Sequence, residues 1–146
     1  MAETLGSLCD KLTIVKLKQY HSDDVARMAS LSKQEKQLIN EIDVYLDDVV
    51  TQKIPEEKLI FEANKVYKKE GNETALIQGK MGEVFAKLAS VNCALWHEQE
   101  KVYEFEKVLP EDKNEVIKSL AILNLERTKC VDKINELLRE LMVSDK

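Results

Sequence analysis

Val102-Tyr103-Glu104-Phe105-Glu106-Lys107-Val108-Leu109-Pro110-Glu111-Asp112-Lys113-Asn114-Glu115-Val116 is the stretch on which the fold turns. Before it, a seam runs through Ile77, Met81, Val84, Leu88, Val91, Leu95, Glu98, Val102, Phe105 and Leu109. After it, a second seam runs through Val116, Leu120, Leu123, Arg127, Cys130, Ile134, Leu137 and Leu141. Steps of three and four residues keep one stripe of an α-helix apolar. Pro110 has no amide hydrogen to give, so it ends one helix and suits the first turn of the next. The spacing predicts helices from about Thr74 to Leu109 and from Pro110 to about Val143, with almost no loop between them. Such a pair must fold back as an antiparallel hairpin, roughly 50 Å long at 1.5 Å per residue.

Three shorter helices are expected on the N-terminal side. The first spans about Thr4 to His21, with Leu5, Leu8, Leu12 and Val15 on one face and Ile14, Leu17, Asp10 and His21 on the other. A helix apolar on two sides is wedged between neighbours. Ser22-Asp23-Asp24 can cap a second helix reaching Thr51, with Met28, Leu31, Glu35, Leu38, Ile42, Tyr45 and Val49 as its seam. Pro55 opens a third, which Gly71-Asn72 stops. Gly79 and Gly82 fall inside the expected fourth helix and mark a kink, a close contact or a later start. The fold class is all-α: an antiparallel bundle of about five helices, in one domain over 1–146.

Composition fits that class and excludes others. The 146 residues include 4 Gly and 2 Pro, too few for a strand-and-turn fold. A net charge of -5 argues against nucleic acid as a partner. No run of about 20 apolar residues is present, so no membrane span is expected. The start of the chain lacks the basic and apolar regions of a signal peptide. Three widely spaced cysteines give neither a disulfide framework nor a CxxC metal motif, and suggest reduced thiols and a cytoplasmic location. The hairpin has more apolar surface than short helices can cover, so a homodimer is expected.

Polar residues on apolar faces are the candidate site. A charge on a seam is unfavourable unless paired or able to reach water. Asp10, Glu35, Glu98 and Arg127 qualify, with Asn92 and Asn124 at seam edges. Across a turn at Leu109-Pro110, positions whose numbers sum to about 219 stand level, so Arg127 faces Asn92. Asp10, Asn92, Trp96, Asn124 and Arg127 therefore form the candidate cluster. Asp10 is the preferred carboxylate for Arg127, with Glu98 and Glu35 as substitutes. Either Arg127 sets helix register in an ion pair, or it holds an anionic ligand against Trp96. No catalytic signature, phosphate-binding loop or cofactor motif is present. His21 and His97 lack the Glu-x-x-His spacing of di-metal bundles, and His97 projects away from the main seam, so no metal is expected.

Three blocks resemble a family of small bacterial helical proteins. They are Glu3-Thr4-Leu5-Gly6-Ser7-Leu8-Cys9-Asp10-Lys11-Leu12-Thr13-Ile14 with Leu17-Lys18 and Tyr20-His21, then Asn92-x-x-Leu95-Trp96-His97, then Asn124-x-x-Arg127. The chain departs from that pattern at Gln99 and Glu100, where a Glu-Asp pair is usual, and at Thr128, where Asn is typical. Members are encoded among, or fused to, sugar-transfer and surface-polysaccharide proteins. The resemblance implies an accessory to a glycosyltransferase pathway, and the long apolar hairpin, the missing catalytic motifs and the acidic balance point to a non-catalytic role. A small-ligand module or enzyme built on the polar cluster is the alternative.

Overall fold

The computed structural model describes residues 3–60 and 77–144. Four α-helices carry the fold: α1 (Leu5–Tyr20), α2 (Val25–Val50), α3 (Met81–Tyr103) and α4 (Lys113–Ser144). No strand occurs among the described residues.

Caps set several of the boundaries. The Thr4 hydroxyl accepts from the Ser7 amide at 3.2 Å and starts α1. Asp24 accepts from the amides of Ala26 and Arg27 at 2.9 and 3.2 Å and starts α2. The expected fourth helix begins later than its periodicity suggests, at Met81. Gly79 takes φ +117°, which a helix cannot contain, and Glu83 reaches back to accept from the Lys80 amide at 3.4 Å. Gly82 alone lies inside α3.

The same helix also ends early, at Tyr103. Single turns of 3₁₀-helix at Phe105–Lys107 and Pro110–Asp112 make the link to α4. Pro110 thus opens a 3₁₀ turn, and regular α-helix resumes at Lys113. The expected third helix is reduced, within the described residues, to one 3₁₀ turn at Glu56–Lys58 following Pro55. The rest of that expectation lies outside them.

The most extensive contact is between α3 and α4, followed by α1 with α2 and α1 with α4. Long-range hydrogen bonds order the helices. Gly6 meets Asn135 and Asp10 meets Arg127, so rising numbers in α1 meet falling numbers in α4. Asp10 and Thr13 meet Asn92, and His21 meets Trp96, so α1 and α3 rise together. The core gathers Leu5, Leu8 and Cys9 of α1 with Tyr45 and Val49 of α2, Val84 and Leu88 of α3, and Cys130, Ile134 and Leu138 of α4. Leu59 and Ile77 close it.

Burial is uneven along the seams. In α3 it stops at Leu95, and in α4 nothing is buried from Ile117 to Lys129. Beyond the level of Trp96, α3 and α4 project past the end of α1. Val102, Tyr103, Leu109 and Ile117 are exposed there.

Candidate functional site

Asp10 sits on the face of α1 turned toward α3 and α4, and is buried. Its carboxylate receives donors from both. Arg127 Nε donates to Oδ1 and Oδ2, each at 2.9 Å, and Nη2 donates to Oδ2 at 2.6 Å. Asn92 Nδ2 donates to Asp10 Oδ1 at 2.9 Å and to Thr13 Oγ1 at 2.7 Å, using both amide hydrogens. Thr13 Oγ1 in turn donates to the Asp10 main-chain oxygen at 2.7 Å. The side-on approach of the guanidinium is the strong form of an ion pair. A third of the Arg127 side chain stays exposed, against 11% for Asp10.

The structure therefore brings together Asp10, Asn92 and Arg127, three of the five candidates. The two residues set level across the turn, Asn92 and Arg127, bond the same carboxylate oxygen. Trp96 and Asn124 are elsewhere. Trp96 is half-buried and stacks on the His21 ring, with centroids 4.6 Å apart and planes inclined by 19°. Asn124 is exposed, and its amide donates to the Leu120 carbonyl at 3.0 Å. Three residues leave Asn124 about 60° round the helix from Arg127, at the edge of the same face, where its side chain reaches water. The substitute carboxylates are engaged otherwise: Glu98 with Lys101 at 2.9 Å, and Glu35 with Lys16 at 2.6 Å. That bond from Lys16 holds the Glu35 carboxyl below its ordinary range.

Two features escape a reading of the apolar pattern. Thr13 closes the cluster, and its signal is its place one turn after Asp10. A second polar node lies further down α4. The Gly6 amide donates to Asn135 Oδ1 at 2.8 Å, and Asn135 Nδ2 donates to Thr4 Oγ1 at 3.0 Å, with Thr4 and Asn135 both buried. An Asn between Ile134 and Leu138 was the available signal. Gly6 is required here, because a Cβ on it would stand 2.3 Å from the Val131 carbonyl oxygen.

An open groove of about 630 Å³ runs between α1 and α3. Thr13, Leu17, Tyr20 and His21 form one wall, and Ala89, Cys93 and His97 the other. The three cysteines are free; Cys9 and Cys130 are buried and Cys93 is exposed. Burial pushes the Cys9 and Cys130 thiols up to about 11. Among the described residues no helix is long and apolar enough to cross a membrane. The chain matches no protein-family model, no curated protein and no solved structure.

Proposed function

We propose that the protein is a non-catalytic antiparallel helical bundle that acts through protein–protein contact, as a cytoplasmic homodimer. Asp10 carries this reading. Its carboxylate is met by donors from α3 and α4 within the fold, and Asn92 and Thr13 direct their donors into the same network. A group held this way fixes helices in register and is poorly placed to do acid–base work on a substrate. The antiparallel run of α3 and α4 is supported by their shared attachment to Asp10 and by the link over residues 104–112. The resemblance of the three sequence blocks suggests the setting: a bacterial accessory to surface-polysaccharide synthesis, working beside a glycosyltransferase.

The dimer is supported by the projecting ends of α3 and α4. A two-helix projection cannot bury its own apolar residues, whereas two such projections side by side make a four-helix packing unit. Light scattering at tens of micromolar tests it. The expected mass is twice the chain's 16.8 kDa, falling to that of one chain in the Tyr103→Lys, Ile117→Lys double variant. One chain's mass for the unaltered protein overturns the dimer. The α1–α3 groove does not favour a ligand module built on the polar cluster, because none of Asp10, Asn92, Trp96, Asn124 and Arg127 is among its lining residues.

A further inference from the structure

We propose that a second copy of this chain packs antiparallel across the bare end of α3 and α4, in the place that a longer α1 would fill, with Tyr103 and Ile117 at the two-fold axis. This rests on the dimer proposed above and gives it a place and an orientation. The 16 residues of α1 span about 24 Å and the 32 of α4 about 48 Å. α1 is held on α3 by Asn92 and Trp96, and on α4 by Arg127 and Asn135. At about 100° per residue, Tyr103 lies about 20° from Asn92 around α3, and Ile117 lies about five whole turns from Asn135, on the same line of α4. The faces that carry α1 therefore run on past its end. Tyr103 is 83% and Ile117 56% exposed there. Asn92 and Arg127 bond one carboxylate oxygen, so positions of α3 and α4 stand level when their numbers sum to about 219. That sets Ile117 beside Tyr103, in one apolar patch.

The shape of this end selects the occupant and its direction. α1 makes a step about 10 Å high, the thickness of one helix. α2 does not extend the step, because it starts at Val25 and runs back along α1, with Glu35 meeting Lys16. In a parallel pairing the two α1 helices would meet first and hold the bare faces apart. In an antiparallel pairing each projection slides in past the end of the partner's α1, and the faces meet over their whole bare length. Such a two-fold lays α3 on its own copy and α4 on its own copy, an isologous contact. Charge favours the same direction. Residues 104–115 carry Glu104, Glu106, Glu111, Asp112 and Glu115 against Lys107 and Lys113. Parallel packing would set two such acidic tips side by side, and like charges brought together are unfavourable. Antiparallel packing sends them to opposite ends. Each tip then comes to rest against the end of the partner's α1, where the exposed Leu109 of one copy meets the exposed Tyr20 of the other. A tyrosine at the centre suits the role, since aromatic side chains are enriched in interface cores.

Short-range cross-linking of the full chain tests the arrangement. Cys93→Ser first removes the one exposed thiol, since Cys9 and Cys130 are buried. In that background Tyr103→Cys and Ile117→Cys, each treated with a short bis-maleimide, should give covalent pairs of chains on a denaturing gel, because a residue at the axis stands beside its own copy. Leu109→Cys alone should give none, because antiparallel tips point apart. Leu109→Cys combined with Tyr20→Cys should restore the pair by joining each tip to the partner's α1. Light scattering on the same samples separates two failures. A dimer in which neither axis variant links, in which Leu109→Cys links to itself, or in which the Leu109→Cys, Tyr20→Cys chain stays unlinked overturns the arrangement and leaves the dimer standing. One chain's mass for the unaltered protein overturns the dimer and the arrangement with it.

Discussion

A carboxylate taken out of water has to find its donors inside the protein, and Asp10 finds them on two other helices. Removing one partner leaves the charge behind. Arg127→Met is expected to cost about 2–3 kcal/mol in urea unfolding, below the roughly 3–5 kcal/mol of a fully buried pair because a third of the Arg127 side chain is exposed. Adding Asp10→Leu to that variant should recover most of the loss, since an apolar pair can replace an ionic one. A double variant no more stable than Arg127→Met would contradict it. Asp10, Asn92 and Arg127 were legible in the sequence because polar groups interrupted apolar stripes. Asn124 also interrupted one, but at its edge, where a small rotation decides between core and water. The His21–Trp96 stack left no mark, because no local pattern links positions 21 and 96.

At the scale of the helices, periodicity was a good guide to where α1, α2 and α4 lie, and a poor one to where α3 starts and stops. Hydrophobic spacing continues through Ile77 and Phe105 although the helix does not. The positive φ of Gly79 and the 3₁₀ turns after Tyr103 are backbone choices that side-chain spacing cannot register. Glycines separate in the same way. Gly6→Ala would drive a methyl against the Val131 carbonyl oxygen, and overpacking costs about 1–3 kcal/mol, more than the up to about 1 kcal/mol that alanine gains in a helix. Gly82 has open space around it, so Gly82→Ala should keep that gain. Thermal melts of the two variants should move in opposite directions; a shared direction would mean that α1 does not approach α4 as closely as described.

For the whole molecule, alkaline pH is the condition that tests the core. The Cys9 and Cys130 thiols lie at about 11 in the folded chain, against an ordinary value of 9.0, because burial disfavours the thiolate. The Tyr45 hydroxyl is raised for the same reason. With folded values above unfolded ones, the stabilisation is complete below pH 9 and is lost as pH rises toward 11. The urea midpoint should fall across that window, and replacing Cys9 and Cys130 by alanine should flatten the decline. An equally steep fall in that variant would place the cause elsewhere. The all-helical class was visible in composition and spacing together; the uneven cover of α3 and α4 was visible only as an excess of apolar surface without an address.

The two polar nodes on α1 have a consequence for how the chain can change. One pins Thr4 and Gly6 to Asn135, the other pins Asp10 to Arg127. Sliding α1 by one turn, about 5.4 Å, unseats both pins together, so no half-docked position satisfies either. The helix behaves as a two-pin connector, seated or out. A single residue inserted between Gly6 and Asp10 would rotate one pin about 100° from the other. Point changes on the outer face of α1 leave the connector intact, whereas a change of length between its pins disables it.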